Sequence, residues 1–303
     1  MTAAAQTRTE PKDRYRTRVS PTPQMIDRAE PTVWPSPVVG PFAEQALAAH
    51  ERDGFVQVPG LLTADEVAGF AAELERLAAD PAVRGDERCV VEKTSQQVRS
   101  IFEVHRLSAM VARLVADERV AGRARQILGS EVYVHQSRVN YKPGFGGAGF
   151  YWHSDFETWH AEDGMPLPRA VSCSISLTDN FAYNGSLMII PGSHRTFVSC
   201  VGETPADHYQ SSLREQEIGT PDPDSVSALA DERGIALLTG DAGSATFFDS
   251  NCMHGSGDNI TPFPRSNIFV VFNSVENVCQ EPFYAPAPRP DFIGARDFTP
   301  VSR

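Results

Sequence analysis

The sequence predicts an α+β protein with a mainly β core: a double-stranded β-helix of the jelly-roll or cupin kind, backed by N-terminal helices. Two observations carry this. Apolar residues recur at helical period up to about residue 130, and from Glu131 onward the period changes to two. The strand segments that follow are many, short and separated by turn residues, the pattern of sandwiches and jelly rolls.

Taken in order, residues 1–40 hold six prolines and no sustained periodicity. They read as an extended arm, in which Trp34 marks a part that docks. The rest, 41–303, reads as one domain: helical support over about 42–130, a β core over about 131–276 and a tail over 280–303. Asp53–Gly60 reads as turn, short strand and stop. Thr63 and Glu66 then form a capping box, because each side chain can satisfy the other's backbone N–H. Val67, Phe70, Ala71, Leu74, Leu77 and Ala78 make one apolar stripe. A second helical region runs from about Leu107 to Leu128, and Gly129 is its stop.

In the β half, Val132, Val134, Gln136, Arg138, Asn140 and Lys142 are expected on one strand face. In Ala170–Thr178, Val171, Cys173, Ile175 and Leu177 alternate with Ser172, Ser174, Ser176 and Thr178. Ser186–Ile190, Ser244–Phe248 and Asn267–Ser274 are further strands. Residues 200–235 are polar and acidic and read as a long insertion.

The chain has 303 residues, 41% of them hydrophobic, and a formal charge of -12. An acidic surface disfavours sequence-independent binding to nucleic acid or to anionic membrane, since both need clustered cations. No apolar run approaches the roughly 18 residues of a membrane span. The start has no apolar segment of the secretory kind. Five scattered cysteines without a CxxC pair point to a reducing cytoplasm.

His153-Ser154-Asp155 carries the chemistry. On an extended backbone, residues i and i+2 project to the same side. His254 lies 99 residues beyond Asp155. Two imidazoles and one carboxylate are the ligand set of non-haem Fe(II) oxygenases, which leaves one face of the metal open. The same set also serves catalytic zinc. Arg265 and Ser256 near His254 suit a carboxylate, because the planar guanidinium donates two parallel hydrogen bonds. A metal beside a carboxylate clamp implies a cosubstrate that chelates at one end and is held at the other, and 2-oxoglutarate fits. His160, Glu157 and Asp163 are rival ligands, ranked lower because they would leave Arg265 unexplained. Cys252 reads as a small buried residue rather than a ligand.

The run Phe150–Pro166, FYWHSDFETWHAEDGMP, closely resembles the signature of ectoine hydroxylases. These belong to the phytanoyl-CoA dioxygenase group of Fe(II)/2-oxoglutarate oxygenases. The broader likeness spans about Phe42 to Glu276 and includes Asn140–Gly144 and Pro191–His194. The resemblance implies that His153, Asp155 and His254 bind Fe(II). It implies that Phe150, Lys142, Ser256 and Arg265 hold 2-oxoglutarate, and that Gln136, Asn140, Trp159 and Phe272 line an ectoine pocket. It also implies a homodimer, O2 as cosubstrate, and 5-hydroxyectoine, succinate and CO2 as products. Two other readings stay open: the same chemistry on another small amine or amino acid, and a non-catalytic metal or small-molecule binding barrel.

Overall fold

The computed structural model describes residues 13–92, 96–212 and 218–302. A seven-stranded antiparallel sheet runs in the order Phe55–Val58, Ala245–Asp249, Ala170–Ser176, Arg265–Ser274, Val132–Lys142, Val98–Phe102, Cys89–Val91. A four-stranded sheet runs Ala236–Leu238, Leu187–Ile189, His254–Ser256, Phe150–His153. The two face each other across the functional cavities, which draw residues from both. The expected α+β architecture with a mainly β core of the jelly-roll kind is present, its two sheets open rather than closed into a barrel. Strands of three or four residues form the small sheet, and no ladder among the described residues joins its edges to the large one.

Strand alternation sorts the side chains into two apolar layers. Ile268, Val270 and Phe272 pack with Phe70, Leu74, Val111 and Ile127 on the helical side. Phe269 and Val271 pack between the sheets with Phe156, Trp159, Ile189 and Phe248. Val171, Cys173 and Ile175 join the helical layer, so the intervening serines face the interior. Both layers exclude water, which is the main driving force for this architecture.

The helices follow their caps. Ala64–Ala79 opens on the expected box: the Thr63 hydroxyl accepts from the Glu66 N–H at 3.2 Å, and the Glu66 carboxylate accepts from the Thr63 N–H at 2.8 Å. The region expected as one helix from Leu107 to Leu128 is broken. Ala109–Ala116 stops at Asp117, whose carboxylate accepts from the Arg119 N–H and so competes with the helical pattern. A π-turn at Glu118–Gly122 and a helix Arg123–Leu128 follow, ended by Gly129 at φ 63°. That left-handed cap favours glycine.

One register feature corrects the sequence reading. Against Arg265–Ser274, the strand Val132–Lys142 carries an extra residue: Val271 pairs with Gln136 but Phe272 with Val134. This β-bulge at His135 shifts the alternation. Gln136, Arg138, Asn140 and Lys142 line the cavities, whereas Val132 and Val134 belong to the helical layer.

The arm and tail are pinned. Met25–Asp27 pairs with Thr196–Val198, and the Arg169 guanidinium lies 4.0 Å from the Trp34 ring centroid. From the tail, Arg289 binds Asp163 through Nε at 2.8 Å, and His135 Nε2 meets the same carboxylate at 3.0 Å. Residues 1–12 of the arm and 213–217 of the insertion lie outside the described residues. The insertion holds a helix, Pro223–Arg233, capped by Asp222. No helix among the described residues is long and apolar enough to cross a membrane.

Burial opposes charge on Asp163, but the Arg289 guanidinium and His135 outweigh it and hold the carboxyl well below its ordinary range. A depressed carboxyl stabilises the fold above its unfolded pKa and loses that contribution as pH falls through the folded one. Asp163→Asn strands the buried Arg289 guanidinium and removes the His135 partner, and should cost about 3–5 kcal/mol. Melting curves of wild type and variant should differ most at neutral pH and converge in strong acid; an equal gap at every pH would refute this account.

Candidate active site

His153 ends one strand of the small sheet, and His254 sits directly opposite it in the neighbouring strand. Their ring centroids are 4.2 Å apart. Ser154 is extended, φ -109° and ψ 127°, and Asp155 opens the short helix Asp155–Thr158. The motif is thus extended only through Ser154, and the turn into the helix brings the carboxylate back toward the imidazoles. His153 Nε2 lies 3.7 Å from Asp155 Oδ1, and His254 Nε2 lies 3.9 Å from Oδ2. One ligand atom from each residue falls within 4.8 Å of the others.

The surroundings aim these groups. His153 Nδ1 donates to the Tyr151 carbonyl at 2.7 Å and His254 Nδ1 to the Cys252 carbonyl at 3.0 Å. Each bond places the proton on Nδ1 and leaves the Nε2 lone pair for a metal. Ser172 Oγ donates to Asp155 Oδ2 at 3.3 Å. Burial, then the neighbouring His153, pushes His254 down to about 4. Burial alone would raise Asp155, but His254, His153 and Arg138 pull it down to about 2. At neutral pH these two ligands are deprotonated, as metal binding requires. The donor set and its geometry fit Fe(II) with one face open.

The rival ligands are engaged elsewhere. Glu157 is paired with Arg18 and Asp163 with Arg289, while His160 Nδ1 donates to the Met165 carbonyl. Cys252 is fully buried, and its thiol donates to the Gly54 carbonyl. Among the described residues no other group of three His, Cys, Asp or Glu side chains lies close enough to share an ion.

A small cavity of about 50 Å³ adjoins the triad and is lined by Lys142, Phe150, Ser256 and Arg265, the four residues expected to hold 2-oxoglutarate. Arg265 donates to the Gly185 carbonyl and to Asn180 Oδ1 at 3.0 and 3.1 Å. Burial pushes it down to about 10, so its charge lacks a counter-ion that a carboxylate would supply. Lys142 donates to Ser256 Oγ at 2.9 Å and the Gly257 carbonyl at 2.7 Å. Burial, then Arg265 and Arg99, pushes Lys142 down to about 7.

A dicarboxylate entering beside Lys142 restores its proton. Binding of 2-oxoglutarate at pH 8 is therefore expected to take up roughly one proton. Calorimetry in buffers of different ionisation enthalpy checks this, and the uptake should vanish in Lys142→Met. Affinity should weaken as pH rises above 7, because the neutral amine is then the favoured form of the empty site.

A larger cavity of about 610 Å³ opens on the other side of the triad. Gln136 and Trp159 line it. Asn140 instead faces the small cavity and accepts from Ser100 Oγ at 2.9 Å. Phe272 lines neither cavity; it is fully buried in the helical layer, by the parity of its strand. Phe269, on the opposite face, lines the small cavity. Counting by twos from Arg265, a residue that must face the cavity, would have selected it.

Two cations escaped the sequence reading. Arg138 lines both cavities, its Nε has no hydrogen-bond partner, and its guanidinium lies 4.7 Å from the Phe269 centroid. Its place between Gln136 and Asn140 on one strand was the available signal. Arg289 also lines the large cavity, but it comes from an aperiodic tail that offered none.

Residues 50–267 match the family model for phytanoyl-CoA dioxygenase (PhyH). The ectoine dioxygenase of Nocardia farcinica is 63% identical over 289 residues, 95% of each chain. EctD from S. alaskensis, solved with 2-oxoglutarate and 5-hydroxyectoine, is 45% identical and superposes with a TM-score of 0.84 over 94% of this chain and 95% of that one. The same protein with bound Fe gives a TM-score of 0.83 over the same shares.

Proposed function

The chain belongs to the phytanoyl-CoA dioxygenase family, and from that premise we propose that it hydroxylates ectoine to 5-hydroxyectoine, using Fe(II), 2-oxoglutarate and O2 and releasing succinate and CO2. The observation that carries this is the metal triad beside a buried, counter-ion-poor Arg265, in a chain 63% identical to an ectoine dioxygenase.

When bound, Fe(II) would activate O2, the oxidant, for a reaction in which one oxygen atom goes to succinate as CO2 is lost from 2-oxoglutarate and the other is inserted into a C–H bond. His153, Asp155 and His254 would hold it. Arg265 and Lys142 take the distal carboxylate of 2-oxoglutarate, and the Phe150 ring covers it. Ectoine, a small ring bearing an amidinium and a carboxylate, enters the larger cavity. Its cation lies against Trp159, a contact worth about 0.5–2 kcal/mol. Gln136 donates through Nε2 to the Ile293 carbonyl at 2.7 Å, which leaves its Oε1 to accept from the amidinium. Arg138 and Arg289 offer the positive charge for the carboxylate. These walls exclude water and hold one ring carbon toward the metal, the protein's usual share of cofactor chemistry. The five free cysteines support work in a reducing cytoplasm.

The deciding experiment is mass analysis of ectoine incubated with the protein, Fe(II), 2-oxoglutarate and O2. One added oxygen per 2-oxoglutarate consumed is expected. If ectoine is unchanged while another small amine gains oxygen, the substrate is wrong and the reaction class stands.

A further inference from the structure

Arg18 belongs to the arm, remote in sequence from every site residue, yet its side chain is fully buried. Nε and Nη2 donate to the two oxygens of Glu157 at 3.0 and 2.8 Å. Nη1 donates to Glu162 at 2.6 Å and to Thr204 Oγ1 at 2.9 Å. Its backbone N–H donates to the Cys200 carbonyl at 2.9 Å. Thr17 beside it donates to Glu157 at 2.6 Å and accepts from the Cys200 N–H at 2.9 Å. A Cβ at Gly219 would stand 2.5 Å from Arg18 Nη2, so the later part of the insertion packs on the same group.

Three segments thus meet on one guanidinium, and two of them build the larger cavity. The helical run Asp155–Asp163 contributes Asp155, Thr158, Trp159 and Glu162 to its wall, and the insertion contributes Ser212 and Ile218. Arg18 is not part of that wall. Its backbone is left-handed, φ 55°, a conformation that a residue with a Cβ holds only where its surroundings fix it. A buried ion pair is weak evidence for stability, because desolvation consumes most of the Coulombic gain. Its rigid fork does fix geometry: it holds Glu157 and Glu162 in one relation to each other and to Thr204.

We propose that Arg18 is a positioning residue of the larger cavity, locking the Asp155–Asp163 run to the insertion so that the arm sets the affinity for ectoine without touching it. This rests on the function proposed above. It predicts that the substrate side of the metal depends on Arg18, whereas the 2-oxoglutarate side, built from the sheets alone, does not.

The test compares full-length wild type, Arg18→Ala, Arg18→Lys and Thr204→Val, each loaded with Fe(II) for the kinetics. In Arg18→Ala the KM for ectoine should rise about tenfold or more, with kcat within about threefold and the KM for 2-oxoglutarate unchanged. Ectoine-dependent quenching of tryptophan fluorescence in the metal-free protein should weaken by the same factor. Guanidinium ion should restore part of the affinity in Arg18→Ala and none in wild type, and Arg18→Lys should lie between. Should Arg18→Ala fail to fold, Thr204→Val removes one acceptor and keeps both ion pairs; its ectoine KM should rise about threefold. A folded Arg18→Ala with unchanged ectoine KM, or ectoine and 2-oxoglutarate constants rising together, overturns the inference. A wild type that neither binds nor hydroxylates ectoine overturns the function itself, a result readable before any variant is made.

Discussion

Asp155→Asn and His254→Ala are each expected to lose turnover by about a thousandfold or more, roughly 4 kcal/mol in the barrier, together with stoichiometric iron. The triad has three ligands and no substitute: the other acidic and imidazole groups of the segment are already paired or hydrogen-bonded. The two changes act differently. Asn keeps the size of Asp155 but removes the charge that draws the cation. Ala at 254 opens one coordination position and leaves the Cys252 carbonyl without its donor. Iron content after dialysis, measured with turnover, checks both. An iron-replete His254→Ala that still turns over would overturn the ligand assignment.

Arg265→Ala should raise the KM for 2-oxoglutarate roughly a hundredfold, about 3 kcal/mol, because a charge-assisted pair in a buried site is lost. Arg265→Lys should recover only a part, since an ammonium cannot supply the two parallel donors of the fork. Ectoine affinity measured in the presence of iron should stay close to wild type, because the larger cavity does not include Arg265. The Gly185 carbonyl and Asn180 Oδ1 lose their donor in Arg265→Ala, so a melting curve belongs beside the kinetics. Unchanged 2-oxoglutarate dependence would place the clamp elsewhere, with Lys142 and Arg138 the next groups to replace.

Much of this site was legible because its chemistry is local in sequence. His153 and Asp155 are two residues apart, and Ser256 and Arg265 follow His254 closely. The Thr63–Glu66 cap is likewise a four-residue signal, and it appears as expected. What the sequence hid depends on chain segments meeting at a distance. Phe272 was assigned to the pocket although its parity places it with the helices. Asn140 was assigned to the substrate, but its strand runs past the metal toward Arg265, its register neighbourhood. The break at Asp117 arises from a side chain competing with the backbone, which an apolar stripe does not reveal. Arg289 and Arg18 sit in proline-containing segments without periodicity, so only their three-dimensional partners disclose them.

The extra residue at His135 acts as a phase boundary in the longest strand. Upstream of it the interior positions are odd, Tyr133 and His135; downstream they are even, Gln136 through Lys142. Pocket redesign along this strand should therefore be counted backward from Lys142, never forward from Val132. Deleting His135 would restore regular alternation with Val132 and Val134 still on the helical side and Tyr133 still inside, removing the bulge and the bond to Asp163 while leaving the residues around the metal in place. The bulge thus lets the tail-binding half of the strand change its length without retuning the half that serves the chemistry.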